Sequence, residues 1–184
     1  MKDGRRARGL TSRGATSCGI VNVRTAVAPR PKPAGLGEWL RARKAAAVLI
    51  GPGLGRGNEA RALLNACLAS GLPAVLDADA LAGLADGAKD AGRGRKAPLV
   101  VTPHEGEFAR LFGAGEGSRL ARARDAAAGA GAVVVAKGFD TVVAAPDGRA
   151  TVNASAPPWL ATAGTGDVLA GMILGLAGQG MPPF

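Results

Sequence analysis

Four short, unbroken apolar runs punctuate the chain, at residues 45–50, 74–76, 99–101 and 132–136. Each stops at a polar or Gly-rich segment. A strand buried on both faces of a parallel sheet reads this way, because neither face has to alternate with polar residues. The stretches between the runs carry helical spacing instead. Residues 58–70 place Ala62, Leu63, Ala66 and Cys67 on one side and stop at Gly71, a residue suited to closing a helix. Further helices are predicted from Asp79, over 105–111 and over 118–129, with a Gly-, Lys- and Arg-rich loop at 86–97. Residues 34–44 have helical composition ahead of the first run, and 164–178 form a Gly/Ala-rich helix near the end. Segments 141–145 and 150–153 flank Pro146-Asp147-Gly148, which signals a hairpin. Strands alternating with helices predict an α/β domain of three layers, its sheet mainly parallel with an antiparallel hairpin added.

Composition sharpens this picture. The 184 residues suffice for one domain, and 47% of them are apolar, but aromatics make up only 3% and Tyr is absent. The core must therefore be built from small and aliphatic side chains packed closely, as when helices lie tightly on a parallel sheet. The domain is expected over residues 34–184. Residues 1–33 read as a basic, poorly ordered or atypical leader in which Gly19-Ile20-Val21-Asn22-Val23 has strand character.

The net charge of +9 invites a nucleic-acid reading, but its distribution argues against one. Residues 1–44 hold eleven Lys and Arg against Asp3 and Glu38, whereas twelve basic and twelve acidic residues cancel from Ala45 onward. The basic character belongs to the leader, and aromatic residues for base stacking are scarce. Cys18 and Cys67 form no CxxC pair and imply neither a disulfide framework nor a zinc site, which fits the cytoplasm. The apolar run at 168–177 is too short to span a bilayer, so no membrane partner is expected.

The polar clusters fall just after strands, at residues 51–57, 77–79, 102–107 and 137–141. In open α/β sheets the ligand crevice lies beyond the carboxyl ends of the strands, so these loops should line one rim. The most informative stretch comes later: Thr162-Ala163-Gly164-Thr165-Gly166-Asp167 at the start of the last helix. Gly164 and Gly166 allow a sharp turn that aims bare N–H groups at one point, where the helix dipole adds positive potential; such a nest suits a transferring phosphoryl group. A carboxylate there repels phosphate, so Asp167 reads either as a general base for a hydroxyl about to be phosphorylated or as a cap for its helix.

The remaining clusters are equally double. Gly51, Gly53, Gly55 and Gly57 make a loop approached closely by a ligand or by the next element. It lacks the Lys-Ser/Thr of a Walker A loop, and a dinucleotide fingerprint from Gly55 to Ala60 with Asp77 fits loosely. His104, the one histidine, lacks a second His for a zinc helix; it is a structural residue or part of the ligand rim, with Thr102 and Glu105 resembling a capping box. No G-x-S-x-G elbow is present. Lys137 and Thr141 could face phosphate or form an ordinary turn, and Trp159 reads as a core tryptophan or a lid.

Together and in this order the motifs resemble the ADP/ATP-dependent NAD(P)H-hydrate dehydratases, relatives of the ribokinase-like small-molecule kinases. The resemblance rests on Gly51-Pro-Gly-Leu-Gly55, Leu76-Asp-Ala-Asp-Ala-Leu81, Thr102-Pro-His-Glu-Gly-Glu107, Lys137-Gly138 with Thr141, and Leu160-Ala-Thr-Ala-Gly-Thr-Gly-Asp-Val-Leu-Ala-Gly171, and it covers residues 45–183. It implies a ribokinase-like αβα domain and an ADP- or ATP-dependent dehydration of hydrated NADH or NADPH (NADHX, NADPHX) through a phosphorylated intermediate. It also implies Asp167 as the base, with Gly53, Gly55 and His104 on the same substrate. Lys137, Gly138, Phe139, Asp140, Thr141, Gly164 and Gly166 would contact the nucleotide, and Mg²⁺ would spread the phosphate charge. The family carries further βα units before the first Gly-rich loop and at least one more helix after the last, so an incomplete domain is expected. A kinase that stops at the phosphorylated product, or a nucleotide-binding fragment without turnover, remains an alternative, and a homo-oligomer is left open.

Overall fold

The computed structural model describes residues 32–85 and 90–184. The strand reading of residues 19–23, and nearly all of the leader, lie outside them. Six strands form one sheet in sequence order: β1 (Val48–Ile50), β2 (Ala74–Leu76), β3 (Leu99–Val101), β4 (Val133–Ala136), β5 (Thr141–Ala144) and β6 (Ala150–Asn153). The first four run parallel, and β5 and β6 add antiparallel. This is the mixed α/β sheet expected from the sequence.

Because strand side chains alternate between faces, each apolar run feeds two cores at once. Val48, Ile50, Leu76, Val101 and Val134 face one way, into a core with α1 (Leu36–Ala42), α2 (Asn58–Ala69), α3 (Asp79–Ala85), α4 (Glu105–Phe112) and α5 (Arg119–Ala130). Leu49, Val75, Val100, Val133 and Val135 face the other way, against Ala170 and Leu174 of α6 (Thr165–Ala177). Small residues make the close approach workable. Ala123, Ala126, Ala127 and Ala130 bury one side of α5, and a Cβ on Gly92 would overlap the carbonyl of Gly131. Residues 90–97 of the arginine-rich loop are tied down as well, since Arg95 donates to the carbonyls of Leu68 and Leu72 and Arg93 to that of Gly129.

Two expectations need correcting. The first strand starts at Val48, not Ala45, because pairing begins only where Val48 meets Ala74. Trp159 is not a core tryptophan: it sits in a 3₁₀ turn (Pro158–Leu160) with 76% of its surface exposed, beside exposed Leu160 and ahead of α6. The described core is filled by aliphatic side chains, with Phe108 one of its few rings.

Candidate functional site

The carboxyl ends of β2 to β4 converge on one buried carboxylate. Asp77, directly after β2, is almost wholly enclosed. Its Oδ1 accepts from Thr102 Oγ1 at 2.8 Å and from Lys137 Nζ at 2.8 Å. Thr102 follows β3 and Lys137 follows β4, so one side chain fastens three strand ends. Lys137 also donates its backbone N–H to the carbonyl of Pro103 at 2.8 Å and pairs with His104 through an isolated parallel bridge. The Lys137 side chain is 19% exposed. An ammonium so placed is neutralised by its partner while still reaching the surface, which a fully buried pair cannot do.

Across the rim, α6 opens at Gly164, whose φ of 87° lies in the left-handed region. The Thr165 N–H turns back to the Thr162 carbonyl and Val168 N–H begins the helix ladder. The N–H groups of Gly166 and Asp167, between them, meet no acceptor among the described residues. A Cβ built on Gly166 would lie 3.2 Å from Lys137 Nζ and 4.0 Å from Asp77 Oδ2. The ammonium therefore lies against the first turn of α6, the turn that carries the two open amides. Asp167 is exposed in the first turn of α6, where a carboxylate favours the helix dipole, while the cap position itself is held by Gly164.

His104 is the residue that caps. Its Nδ1 accepts from Gly106 N at 3.0 Å and Glu107 N at 3.3 Å, and Glu107 Oε2 accepts from His104 N at 2.9 Å. This corrects the box expected from Thr102 and Glu105: Thr102 looks inward to Asp77, and the reciprocal pair starts two residues later. The imidazole remains 62% exposed, with Nε2 3.5 Å from Glu107 Oε1. The structural reading is met through Nδ1, while the rest of the ring faces outward.

The first Gly-rich loop is held from below. Gly55 N donates to Asp79 Oδ2 at 2.9 Å, and Gly51 lies so close to the chain at Asp77 that a Cβ would fall 1.6 Å from the Asp77 carbonyl oxygen. Between these two carboxylates Ala78 takes a φ of 48°, unusual for a residue with a side chain. That local strain lets Asp77 point towards Lys137 and Asp79 towards Gly55. Gly53 is exposed at the loop tip, and Gly55 borders a cavity of about 440 Å³ that also touches Arg56, Asn58, Asp79 and Arg110.

In the fourth loop Gly138 N donates to Thr141 Oγ1 at 3.2 Å, and that hydroxyl donates to the Gly138 carbonyl at 2.8 Å. Thr141 therefore spends its proton inside the turn, while Phe139 stands 70% exposed. Arg119 underpins the turn: its guanidinium donates to Asp140 Oδ1 at 3.0 Å and to the carbonyls of Ala136 and Lys137 at 3.1 and 2.6 Å. Sequence reading missed Arg119, Asp79 and the role of Asp77. A signal for Arg119 existed, because a cation in the first turn of a helix opposes the dipole and needs another reason to be there.

Among the described residues no group of three or more His, Cys, Asp and Glu side chains could hold a metal ion. Asp77 already serves Lys137 and Asp79 serves Gly55. The described residues thus offer no protein cage for Mg²⁺.

Comparison with known proteins agrees with the geometry. The family described as NAD(P)H-hydrate dehydratase matches residues 11–184. The bifunctional NAD(P)H-hydrate repair enzyme Nnr of Mycobacterium tuberculosis is 45% identical over 153 residues, which is 83% of this chain and 31% of that protein. The ADP-dependent (S)-NAD(P)H-hydrate dehydratase of Neisseria meningitidis is 44% identical over 144 residues, 74% of this chain and 48% of the relative. The crystal structure of the ADP/ATP-dependent NAD(P)H-hydrate dehydratase of Bacillus subtilis with ATP/Mg²⁺ superimposes with a TM-score of 0.66 at 37% identity, covering 76% of this chain and 50% of that one. The chain thus spans less than half the length of these curated relatives. With the motifs in order, the rim assembled and the family matched over nearly its whole length, this chain belongs to the NAD(P)H-hydrate dehydratase family.

Proposed function

We propose that the protein repairs hydrated NADH or NADPH, removing water at the expense of ADP or ATP. The hydroxyl oxygen of the hydrate attacks the terminal phosphorus of the nucleotide, and its proton passes to Asp167. The bond to the nucleotide's bridging oxygen breaks, releasing AMP or ADP. The new phosphate ester then leaves as inorganic phosphate, and the nicotinamide double bond closes as a proton is lost from the neighbouring carbon. Asp167 is the base in this reading. Lys137 and the amides of Gly166 and Asp167 balance charge on the transferred group, with Gly164 setting the turn. Gly138, Phe139, Asp140 and Thr141 border the nucleotide, while Gly53, Gly55 and His104 border the hydrate. Mg²⁺ would arrive on the nucleotide's phosphates rather than in a protein cage.

One observation supports the proposal: an exposed carboxylate at Asp167 in a helix turn whose Gly166 and Asp167 amides are open and whose Gly166 faces the Lys137 ammonium. The cytoplasm is the proposed site of action, where Cys67, a buried thiol, stays reduced. No helix among the described residues is long and apolar enough to cross a membrane. The test is to incubate the chain with hydrated NADH, Mg²⁺ and either ADP or ATP while following the absorbance of reduced nicotinamide. Absorbance should recover, and Asp167→Ala should slow the recovery about a hundredfold, the usual cost of losing a general base. Accumulation of a phosphorylated hydrate would instead identify a kinase, and undiminished rates in Asp167→Ala would remove the mechanism.

A further inference from the structure

The enclosed carboxylate of Asp77 has no part in the chemistry proposed above, yet it sits at its centre. Burying a charge is costly unless a partner compensates it, and a merely structural pair at three strand ends could be replaced by apolar side chains of similar volume. Three features argue for a more particular task. Lys137, the partner, is mostly enclosed but keeps part of its side chain at the surface, so its ammonium can face a ligand while still paired with Asp77. Asp77 Oδ1 holds it at 2.8 Å, and Thr102 Oγ1 fixes the same oxygen at 2.8 Å, which leaves the carboxylate little freedom to follow the lysine. The direction in which the lysine is held also matters, because Nζ lies where a Cβ on Gly166 would come within 3.2 Å, at the turn whose Gly166 and Asp167 amides are open. The strained backbone at Ala78 supports this aim, since it turns Asp77 inward while Asp79 serves the other loop.

We propose that Asp77 is a positioning residue that, braced by Thr102, holds the Lys137 ammonium over the first turn of α6, so that the ammonium and the two open amides meet the same phosphate oxygens. The inference rests on the reading of that turn as the place of the nucleotide's phosphates. A preset ammonium loses nothing to reorganisation when the phosphate arrives, whereas a lysine free in solvent must first be ordered. Asp77 touches neither reactant in this arrangement and acts through Lys137.

The test is ADP binding in the presence of Mg²⁺, measured by calorimetry on the full chain, so it does not depend on dehydration. Lys137→Ala should weaken binding roughly tenfold, as loss of a charge-assisted contact does. Asp77→Asn should weaken it roughly fivefold by releasing the lysine, and should add nothing in the Lys137→Ala background, because the two act as one unit. Thr102→Val should shift affinity in the same direction by a smaller factor, and it decides the matter if Asp77→Asn does not fold by circular dichroism. ADP binding by Asp77→Asn equal to or tighter than wild type, or equal losses with and without Lys137, would overturn the inference. So would an unaltered affinity in Thr102→Val should Asp77→Asn be unfolded, or no ADP binding by the unmodified chain. Binding that behaves as expected without any recovery of reduced nicotinamide would leave Asp77 in this role and remove the dehydratase reading alone.

Discussion

Two Gly-rich loops of similar composition do opposite things in this protein. In the loop at residues 51–57, glycine is needed by the protein itself: Gly51 lies against the Asp77 backbone at a φ of 141°, and the Gly55 amide is taken by Asp79. In the turn at 164–167, Gly164 serves a left-handed φ of 87°, but no other part of the chain closes over it. A Cβ on Gly164 would meet nothing within 4 Å, and the amides of Gly166 and Asp167 are unclaimed. Glycine content alone therefore does not distinguish the two loops; where their backbone hydrogen bonds go does.

The sharpest way to break this contrast is to add one methyl group to each loop. Gly51→Ala should cost about 4 kcal/mol or more, a large share of a domain's stability, because backbone strain and overlap with a carbonyl cannot be relieved by moving a side chain. Urea unfolding measures it, and a variant of near wild-type stability would mean that the first loop is as open as the second. Gly166→Ala should do the reverse. It lies within α6 at an ordinary φ and its new methyl meets side-chain ends alone, Lys137 Nζ at 3.2 Å and Asp77 Oδ2 at 4.0 Å, so thermal unfolding should stay nearly level. Turnover with ADP should nonetheless fall about tenfold, since the methyl enters the nest and displaces the ammonium. A parallel loss of stability and activity would erase the distinction. The smallest effect belongs to Asp79→Ala, which frees the Gly55 amide at a cost of about 1 kcal/mol. It should raise KM for the hydrated nucleotide more than it lowers kcat, and a pure kcat effect would separate that loop from substrate binding.

Much of the fold could be read from local pattern. β2 and β3 fall where the apolar runs do, and α2 begins and ends within a residue of its predicted limits, because burial on both faces and helix-stop glycine are written into consecutive residues. The hairpin followed from Pro146-Asp147-Gly148 in the same way. The capping box did not: Thr102 and His104 both precede a glutamate at the right spacing, and only the packing of Thr102 onto Asp77 decides between them. Trp159 was equally undetermined, since a large ring is buried or exposed according to what lies across from it.

The order of elements, the glycines at the turns and the carboxylate at the head of the last helix were set by the sequence itself, because each is a property of neighbouring residues and of the backbone they allow. Tertiary structure alone decided that Asp77 and Lys137, 60 residues apart, are bonded, that Arg119 supports the Lys137 turn, and that Gly55 answers to Asp79. The physical reason is that parallel strands bring distant carboxyl ends to one rim, and charges gathered there choose partners by distance in space, a quantity no local pattern encodes.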